Sequence, residues 1–206
     1  IGIDYVLDVA SLGASGAWPR TTTLSRNRAR EKRLAKLGAL EWRFVRGAEW
    51  TPAIFADMAA IEAKSWHGSS GDRKFLPGKC TYFWRNLVTD PAQAERMRAA
   101  LLYVDKKPVV FSFDIDAGPV KYEIASSYDP AFGKHSPGNC LHYRVLRAAV
   151  DEGITTVDMG AGDGGYKRES GAMAGPKIVD CLMVRSGWRA PLAKLLAWGW
   201  RRSGRS

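Results

Sequence analysis

Four residues, Ser136, Pro137, Gly138 and Asn139, stand just before a run of apolar residues spaced as in an α-helix. At the start of a helix several backbone N–H groups lack an intrahelical partner, and the helix dipole favours negative charge. Pro137 suits a first turn because it has no N–H, and Gly138 lets a ligand approach the backbone closely. The segment therefore predicts either an anion site that fits a pyrophosphate or an ordinary capped helix.

A second segment, from Val157 to Gly165, contains G-x-G-x-x-G after a predicted strand. It resembles the glycine motif of class I S-adenosylmethionine-dependent methyltransferases. That motif follows the first strand of a doubly wound sheet, so most of the domain must come after it. Here only residues 166–206 follow, and they lack the long apolar helix that should pack beneath such a loop. Glycines serving a tight turn are the favoured interpretation, and a methyltransferase is the weaker alternative.

Cysteines and histidines show no metal-binding or disulfide pattern. Cys80, Cys140 and Cys181 lie far apart without a C-x-x-C pair, and no histidine belongs to an H-E-x-x-H motif. We expect no metal, no disulfide framework and a reducing compartment, the cytoplasm. Cys140 follows a predicted helix start and lies near His135 and His142 in sequence, which is also compatible with an activated thiolate. A buried packing cysteine is the favoured interpretation.

Three strands precede the predicted anion site, at 101–104, 109–115 and 120–124, and two turn segments connect them. They predict an antiparallel meander. A helix through Val150 follows, ends at Gly153 and leads into a strand from Ile154 to Met159. The predicted fold class is therefore α/β (α+β), a mixed sheet with an antiparallel meander flanked by helices.

The remaining predicted elements surround this centre. Residues 1–20 are expected to be a lead-in segment, which can be the end of a truncated N-terminal part, and residues 21–206 one domain. A mobile loop is expected at 67–74 and a helix break at Asp90-Pro91. The other predictions are a basic helix at 24–36, a strand at 41–46, helices at 52–66 and 188–200, one or two helices within 78–98, and a strand at 178–184.

The chain of 206 residues carries a formal net charge of +10, which favours an anionic partner such as nucleic acid, a phosphorylated cofactor or a lipid surface. The densest basic cluster runs from Leu24 to Lys36 and is either a solvated helical face or a helix that faces an anion. No run of about 18 uncharged apolar residues is present, and the first ten residues lack a basic start. A membrane span and a signal peptide are therefore not expected.

From Leu24 to about Val184 the chain resembles the CelD-like acetyltransferase domains, relatives of the Fem-type peptidyltransferases within the GNAT superfamily. Each motif is short, and the ordered set carries the resemblance. The set comprises Leu24-Ser25-Arg26-Asn27-Arg28, Tyr128-Asp129-Pro130, Ser136-Pro137-Gly138, Gly162-Asp163 and Tyr166-Lys167. It implies a GNAT-like fold and transfer of an acyl group from acyl-CoA, or of an aminoacyl group from tRNA, to an amine.

The resemblance also implies roles for particular residues. The segment His135-Ser136-Pro137-Gly138-Asn139-Cys140 corresponds to the loop that cradles the CoA pyrophosphate, although it departs from the usual Arg/Gln-x-x-Gly-x-Gly/Ala form. Asp163 would accept the amine proton or position the amine, Tyr166 would donate to the leaving thiolate, and Lys167 would bind a phosphate or an acceptor carboxylate. The alternatives are a turn-forming aspartate, a packed aromatic ring and a surface cation.

The predicted function is N-acyl transfer, in particular N-acetyl transfer, with acetyl-CoA or another acyl-CoA as donor. The acceptor would be a small-molecule or cell-envelope amine such as an amino sugar, and the Fem-type resemblance allows a tRNA partner. An alternative is a module that binds nucleic acid or an anionic membrane and has a degenerate donor site. Peripheral membrane contact would then use the basic helix and the Leu/Trp-rich segment 188–202.

Overall fold

The computed structural model describes residues 2–14, 21–69, 73–162, 165–179, 187 and 189–202, and seven strands in this part form one mixed sheet. The strands are β1 (Gly2–Asp8), β2 (Leu40–Val45), β3 (Met97–Val104), β4 (Lys107–Ala117), β5 (Val120–Tyr128), β6 (Thr156–Ala161) and β7 (Met173–Ile178). The α-helices are α1 (Val9–Ala14), α2 (Thr21–Leu34), α3 (Pro52–Lys64), α4 (Trp66–Ser69), α5 (Lys79–Leu87), α6 (Pro91–Ala94), α7 (Pro137–Asp151), α8 (Tyr166–Ser170) and α9 (Arg189–Arg202). Short 3₁₀ helices occur at Gly47–Glu49 and Pro130–His135.

The order of the strands in the sheet is β2-β3-β4-β5-β6-β1-β7. Strands β3, β4 and β5 form the predicted antiparallel meander, which confirms that prediction. The turn between β3 and β4 places both Asp105 and Lys106 at positive φ, the backbone geometry that matches the twist of a two-residue hairpin. Strands β5 and β6 are parallel because α7 crosses over between them, and the remaining neighbours are antiparallel.

Helices cover both faces of the sheet. On one face α3 begins at Pro52, with Thr51 as its N-cap, and packs its apolar side on Phe111 and Phe113 of β4. On the other face α7 and the end of α2 pack Leu141 and Leu34 on Val110 and neighbouring strand residues. This three-layer arrangement buries β3 and β4 on both sides, and their alternating side chains therefore enter two separate cores.

Strands β5 and β6 separate soon after they meet. Their pairing extends only from Val120, opposite Thr156, to Tyr122, opposite Asp158. Beyond this point β5 continues beside β4 as far as Tyr128, while β6 continues beside β1. A wedge-shaped opening therefore forms in the middle of the sheet, directly before the start of α7.

Two elements differ from the sequence-based expectation. The expected lead-in segment contributes β1, which is paired with both β6 and β7. The structure describes β7 at Met173–Ile178, a strand that the sequence did not predict, whereas the strand expected at 178–184 falls mostly on residues 180–184, which lie outside the described part. Gly175 and Pro176 are untypical of a strand, so the sequence did not predict β7. A proline is tolerated there because β7 is an edge strand of the sheet. The loop expected at 67–74 begins within one helical turn, α4.

Candidate active site

Two cavities meet in the opening between β5 and β6. The β6-side cavity has a volume of about 450 Å³ and reaches Met159, Gly162 and Lys167. The α7-side cavity has a volume of about 500 Å³ and reaches Gly138 and Asn139 at the start of α7. Both volumes lie in the range typical of small-molecule sites. Five residues line both cavities, which makes them one connected space: Trp66, Phe111, Glu123, Ser126 and Tyr166.

The start of α7 has the features of an anion site. Ser136 adopts the left-handed conformation, with φ 52° and ψ 53°, and its side chain does not cap the helix. The backbone N–H groups of Gly138 and Asn139 consequently find no hydrogen-bond acceptor among the described residues, whereas the N–H of Cys140 reaches the Ser136 carbonyl at 3.4 Å. A non-glycine residue in this conformation is strained and is common where a ligand is held. The ordinary capped helix is therefore the weaker interpretation.

Unpartnered polar groups accompany this helix start. Ser127 is 6% exposed, lines the α7-side cavity, and its buried Oγ has no hydrogen-bond partner within the described ranges. Both ring nitrogens of His135 are likewise buried without a partner there. Because an unsatisfied buried polar group costs about 1–3 kcal/mol, such groups commonly mark a ligand site.

The segment that leads to α7 is anchored to α3. Lys64 Nζ lies 2.8 Å from Oδ2 of Asp129, and Oδ1 of Asp129 accepts a hydrogen bond from the N–H of Ala131 at 3.0 Å. Burial raises the pKa of Asp129, but the Lys64 ammonium and these hydrogen bonds outweigh it, so the pKa is below its ordinary value. The ionised carboxylate thus fixes the turn that positions the start of α7.

Glu123 lies where the two cavities join. Its Oε1 is 3.2 Å from Nδ1 of His142, which makes an ion pair when the imidazole is protonated. Burial lowers the pKa of His142, but the Glu123 carboxylate, together with Asp114, raises it above its ordinary value. The ring of Tyr166 meets that of His142 edge to face, with 5.7 Å between centroids. Burial and the nearby carboxylates raise the pKa of Tyr166 to about 12, so its phenol keeps its proton at neutral pH.

A buried polar layer continues from Glu123 beneath α7. Asp114, opposite Glu123 in the β4–β5 register, is 1% exposed and accepts a hydrogen bond from Ser112 Oγ at 3.0 Å. Burial raises the pKa of Asp114 to about 7, and the charge of Glu123 adds to this effect while that of Lys121 opposes it. Asp114 therefore changes charge near neutral pH beside the candidate site.

The substitution Asp114→Asn tests this buried carboxyl. Because the folded pKa exceeds the unfolded value of about 3.9, the contribution of Asp114 to stability is present at low pH and is lost as pH rises through 7. The difference between the unfolding free energies of wild type and variant, taken as wild type minus variant, should fall as the pH rises. The fall should be up to about 1.4 kcal/mol per pH unit between roughly pH 4 and 7. Urea denaturation at pH 5, 6, 7 and 8 measures it. A difference independent of pH would contradict the assignment.

Lys167 supports the end of β6. Its side chain is buried, and Nζ donates hydrogen bonds to the carbonyls of Gly160 at 2.8 Å and Ala161 at 3.1 Å. Burial lowers its pKa, although the carboxylates of Glu123, Asp4 and Asp158 oppose this. Around it the backbone turns at positive φ at three glycines, as a tight turn requires: Gly160, Gly162 and Gly165.

The structure brings together part of the site expected from the sequence. Tyr166 lines both cavities, Lys167 lines the β6-side cavity, and Asp163 lies outside the described residues. Of the expected donor loop, Gly138 and Asn139 line the α7-side cavity. The thiol of Cys140 is buried in the core instead, where burial and the charge of Glu31 raise its pKa to about 11. That environment disfavours a reactive thiolate.

Sequence reasoning missed Glu123 and His142. Glu123 belongs to a predicted strand with alternating polar residues, which is equally typical of a strand with one solvated face. His142 is near the start of the predicted helix, but no motif connects it with Glu123. One available signal was that two charged residues, Lys121 and Glu123, share one face of the last strand of the predicted meander.

The described part of the chain contains no group of three or more His, Cys, Asp or Glu side chains placed to hold a metal ion. Within the same ranges, no helix is both long and apolar enough to cross a membrane.

Comparisons with known proteins identify the family. The model of the acetyltransferase (GNAT) domain matches residues 23–168. The chain is also similar to the C-terminal domain of a putative lysylphosphatidylglycerol synthetase from Agrobacterium fabrum, with 15% identity, a TM-score of 0.54, and coverage of 82% of this chain and 49% of that one. FemX is similar at 13% identity with a TM-score of 0.53, and the match covers 84% of this chain and 60% of the FemX chain.

An aminoglycoside acetyltransferase from an uncultured soil metagenomic sample is similar at 10% identity with a TM-score of 0.51, covering 71% of this chain and 97% of that chain. At such identities the likeness concerns the fold. The chain spans about half the length of the lysylphosphatidylglycerol synthetase domain, 49% of that chain. No curated protein matches the sequence.

Proposed function

Because the chain belongs to the GNAT acetyltransferase family, we propose that it transfers an acyl group, in particular an acetyl group, from acyl-CoA to the amine of a second substrate. The observation that carries the proposal is the junction of two cavities at Glu123 and Tyr166. Two substrates can enter from opposite sides and meet at a carboxylate and a phenol.

The donor occupies the α7-side cavity in this proposal. The free N–H groups of Gly138 and Asn139 receive its pyrophosphate, because a helix start stabilises anions and these groups have no acceptor among the described residues. The donor's extended arm then lies along β5, whose edge is no longer paired with β6 after Tyr122. Amides in that arm can bond to the open strand edge, with Ser127 Oγ as a further polar partner.

The reaction proceeds by direct attack. The amine nitrogen bonds to the thioester carbonyl carbon, and the carbon–sulfur bond breaks. Glu123 accepts the proton that the amine loses, since it is the carboxylate that lines both cavities where they join. Tyr166 supplies a proton to the leaving thiolate, which its raised pKa permits at neutral pH. Asp163 and Lys167 remain proposed participants in amine positioning and acceptor binding.

The acceptor occupies the β6-side cavity. Glu62 also lines this cavity, but its carboxylate has a structural role. It accepts hydrogen bonds at 2.7–2.9 Å from the backbone N–H groups of Lys74, Phe75 and Leu76. Glu123 therefore remains as a carboxylate available to an incoming ammonium group. We propose an acceptor with a polar body and a primary amine, such as an amino sugar or a cell-envelope precursor.

A turnover assay tests the proposal. The protein is incubated with acetyl-CoA and a panel containing glucosamine, an aminoglycoside and an amino-acid amide, and the release of free CoA thiol is followed. Thiol release that depends on the amine, with the acetylated amine found by mass spectrometry, is expected. If no amine raises thiol release above hydrolysis, while aminoacyl-tRNA is consumed with the same panel, the acyl-CoA assignment is wrong.

A second candidate function, contact with an anionic membrane surface, is favoured by α9. This helix contains no acidic residue and carries four large apolar side chains that are 53–63% exposed: Leu192, Leu195, Leu196 and Trp198. Exposed Lys194 and Arg202 accompany them, and Arg202 lies 4.1 Å from the Trp198 ring centre. Such a helix can lie in the interface of an anionic bilayer.

Sedimentation with vesicles tests this contact. Wild type is expected to bind vesicles that contain phosphatidylglycerol and not vesicles of phosphatidylcholine alone. The double variant Leu195→Glu with Leu196→Glu should lose most of that binding, because it places charges on the apolar face. The variant Leu37→Glu, at another exposed leucine, serves as control. Equal sedimentation of the double variant and wild type would contradict the assignment to α9.

A further inference from the structure

A third cavity, the α2-side cavity, adjoins the donor side of the site. It has a volume of about 230 Å³ and lies between α2, α7 and α8. Asn139, His142 and Tyr166 line both this cavity and the α7-side cavity. Its volume is below the range of sites that hold a whole small molecule, so it suits the end of a ligand that enters from the neighbouring cavity.

Arginines from α2 form the outer wall of this cavity. Arg26 and Arg30 are one helical turn apart and both line it, and the one carboxylate among its lining residues is Glu169. Arg30 donates from Nη1 to Oδ1 of the buried Asn27 at 2.9 Å, which orients its guanidinium. Arg26 takes part in none of the ion pairs found among the residues that the structure describes. The wall therefore presents two guanidinium groups to a space connected with the proposed pyrophosphate site.

The position of α2 is fixed by residues that do not line this cavity. Arg144 of α7 forms a two-point ion pair with Glu31, at 3.0 and 2.9 Å, and its guanidinium also lies 4.2 Å from the ring centre of Trp42. The only acidic residue of α2 is thereby paired, while Leu34 anchors the helix end in the core. The backbone that carries Arg26 and Arg30 is thus held in place before a ligand binds, which reduces the entropy lost on binding.

We infer that Arg26 and Arg30 bind the phosphate on the ribose of the acyl-CoA nucleotide, the 3′-phosphate, while the start of α7 holds the pyrophosphate. This inference rests on the proposed function, because it assigns the far end of the same donor. A dianionic phosphate suits two guanidinium groups, which bind it through charge-assisted hydrogen bonds. This assignment also provides the basic helix α2 with a ligand of opposite charge next to the site.

Isothermal titration calorimetry with CoA and 3′-dephospho-CoA tests the inference. Wild type is expected to bind CoA at least about 10-fold more tightly than dephospho-CoA, since a charge-assisted hydrogen bond contributes about this much. The double variant Arg26→Gln with Arg30→Gln should bind both compounds equally and keep the wild-type affinity for dephospho-CoA, which also shows that it is folded. Arg28→Gln removes one positive charge from α2 at a residue that does not line this cavity, and it should retain the preference.

Two results would overturn this inference while leaving the proposed function intact. They are equal affinities of wild type for both compounds, and a preference for CoA that persists in the double variant. If wild type binds neither compound, the proposed function fails together with the inference. Raising the salt concentration from 50 to 500 mM should weaken CoA binding more than dephospho-CoA binding, because screening acts on the additional phosphate.

Discussion

Replacing Glu123 with Gln should lower kcat for acetyl transfer by about 10²–10⁴-fold, the usual contribution of a general base. The glutamine side chain has the same size but cannot take a proton from the attacking amine. In the proposed binding mode the start of α7 and the β5 edge hold acetyl-CoA, so its dissociation constant should stay within about threefold of wild type, a change below 1 kcal/mol. Steady-state kinetics with a responsive amine, together with calorimetry for acetyl-CoA, measure both quantities.

The matched control is Glu41→Gln, an exposed glutamate on β2 away from both cavities. It should leave kcat unchanged. The loss in Glu123→Gln should also persist at high pH, because a more strongly deprotonated amine still has to lose a proton after attack. A Glu123→Gln enzyme with wild-type kcat would exclude Glu123 as the base and would leave Asp163 as the candidate for that role.

Replacing Gly138 with Glu should weaken acetyl-CoA binding by about 100-fold or more, since like charges placed together in a binding site cost several kcal/mol. The fold should tolerate the change: a Cβ at Gly138 would meet Cδ1 of Tyr128 at 4.0 Å as its nearest atom, an ordinary contact. A carboxylate in the first turn of α7 also interacts favourably with the helix dipole. The variant is thus expected to be as stable as wild type and defective in donor binding.

Gly138→Gln is the control for size. It adds a side chain of nearly the same volume without charge, so it should weaken acetyl-CoA binding clearly less than Gly138→Glu does. Calorimetry provides the affinities, and urea denaturation checks the stability of each variant. Wild-type affinity in Gly138→Glu would remove the start of α7 from the donor site.

The central fold was predictable because it depends on local patterns. The meander follows from alternating side chains and from turn segments such as Asp105-Lys106, and α7 follows from helical spacing that ends before Gly153. The position of β1 was not predictable, because pairing between β1 and β6 joins residues more than 140 positions apart and leaves no local signal. In β7, Gly175 and Pro176 gave a turn pattern that pairing with β1 overrides.

The candidate site was only half predictable for a related reason. The start of α7 has a local chemical signature in Pro137 and Gly138, and Tyr166 follows a recognisable glycine turn. The role proposed for Glu123 depends on which face of β5 is covered and on where β5 and β6 separate. Both are properties of the assembled sheet. The contact between Glu123 and His142 of α7 likewise appears only when the helix packs on the sheet.

Thermal unfolding with three separate ligands distinguishes an acyl-CoA site from a methyltransferase site and from a nucleic-acid-binding surface. Wild type is heated with acetyl-CoA, S-adenosylmethionine or a short RNA, each alone and in excess. At 100 times its dissociation constant a specific ligand adds about 2.7 kcal/mol to stability. We predict a rise in the unfolding temperature with acetyl-CoA and none with S-adenosylmethionine. Stabilisation by S-adenosylmethionine or RNA, with no effect of acetyl-CoA, would contradict the assignment of this site to acyl transfer.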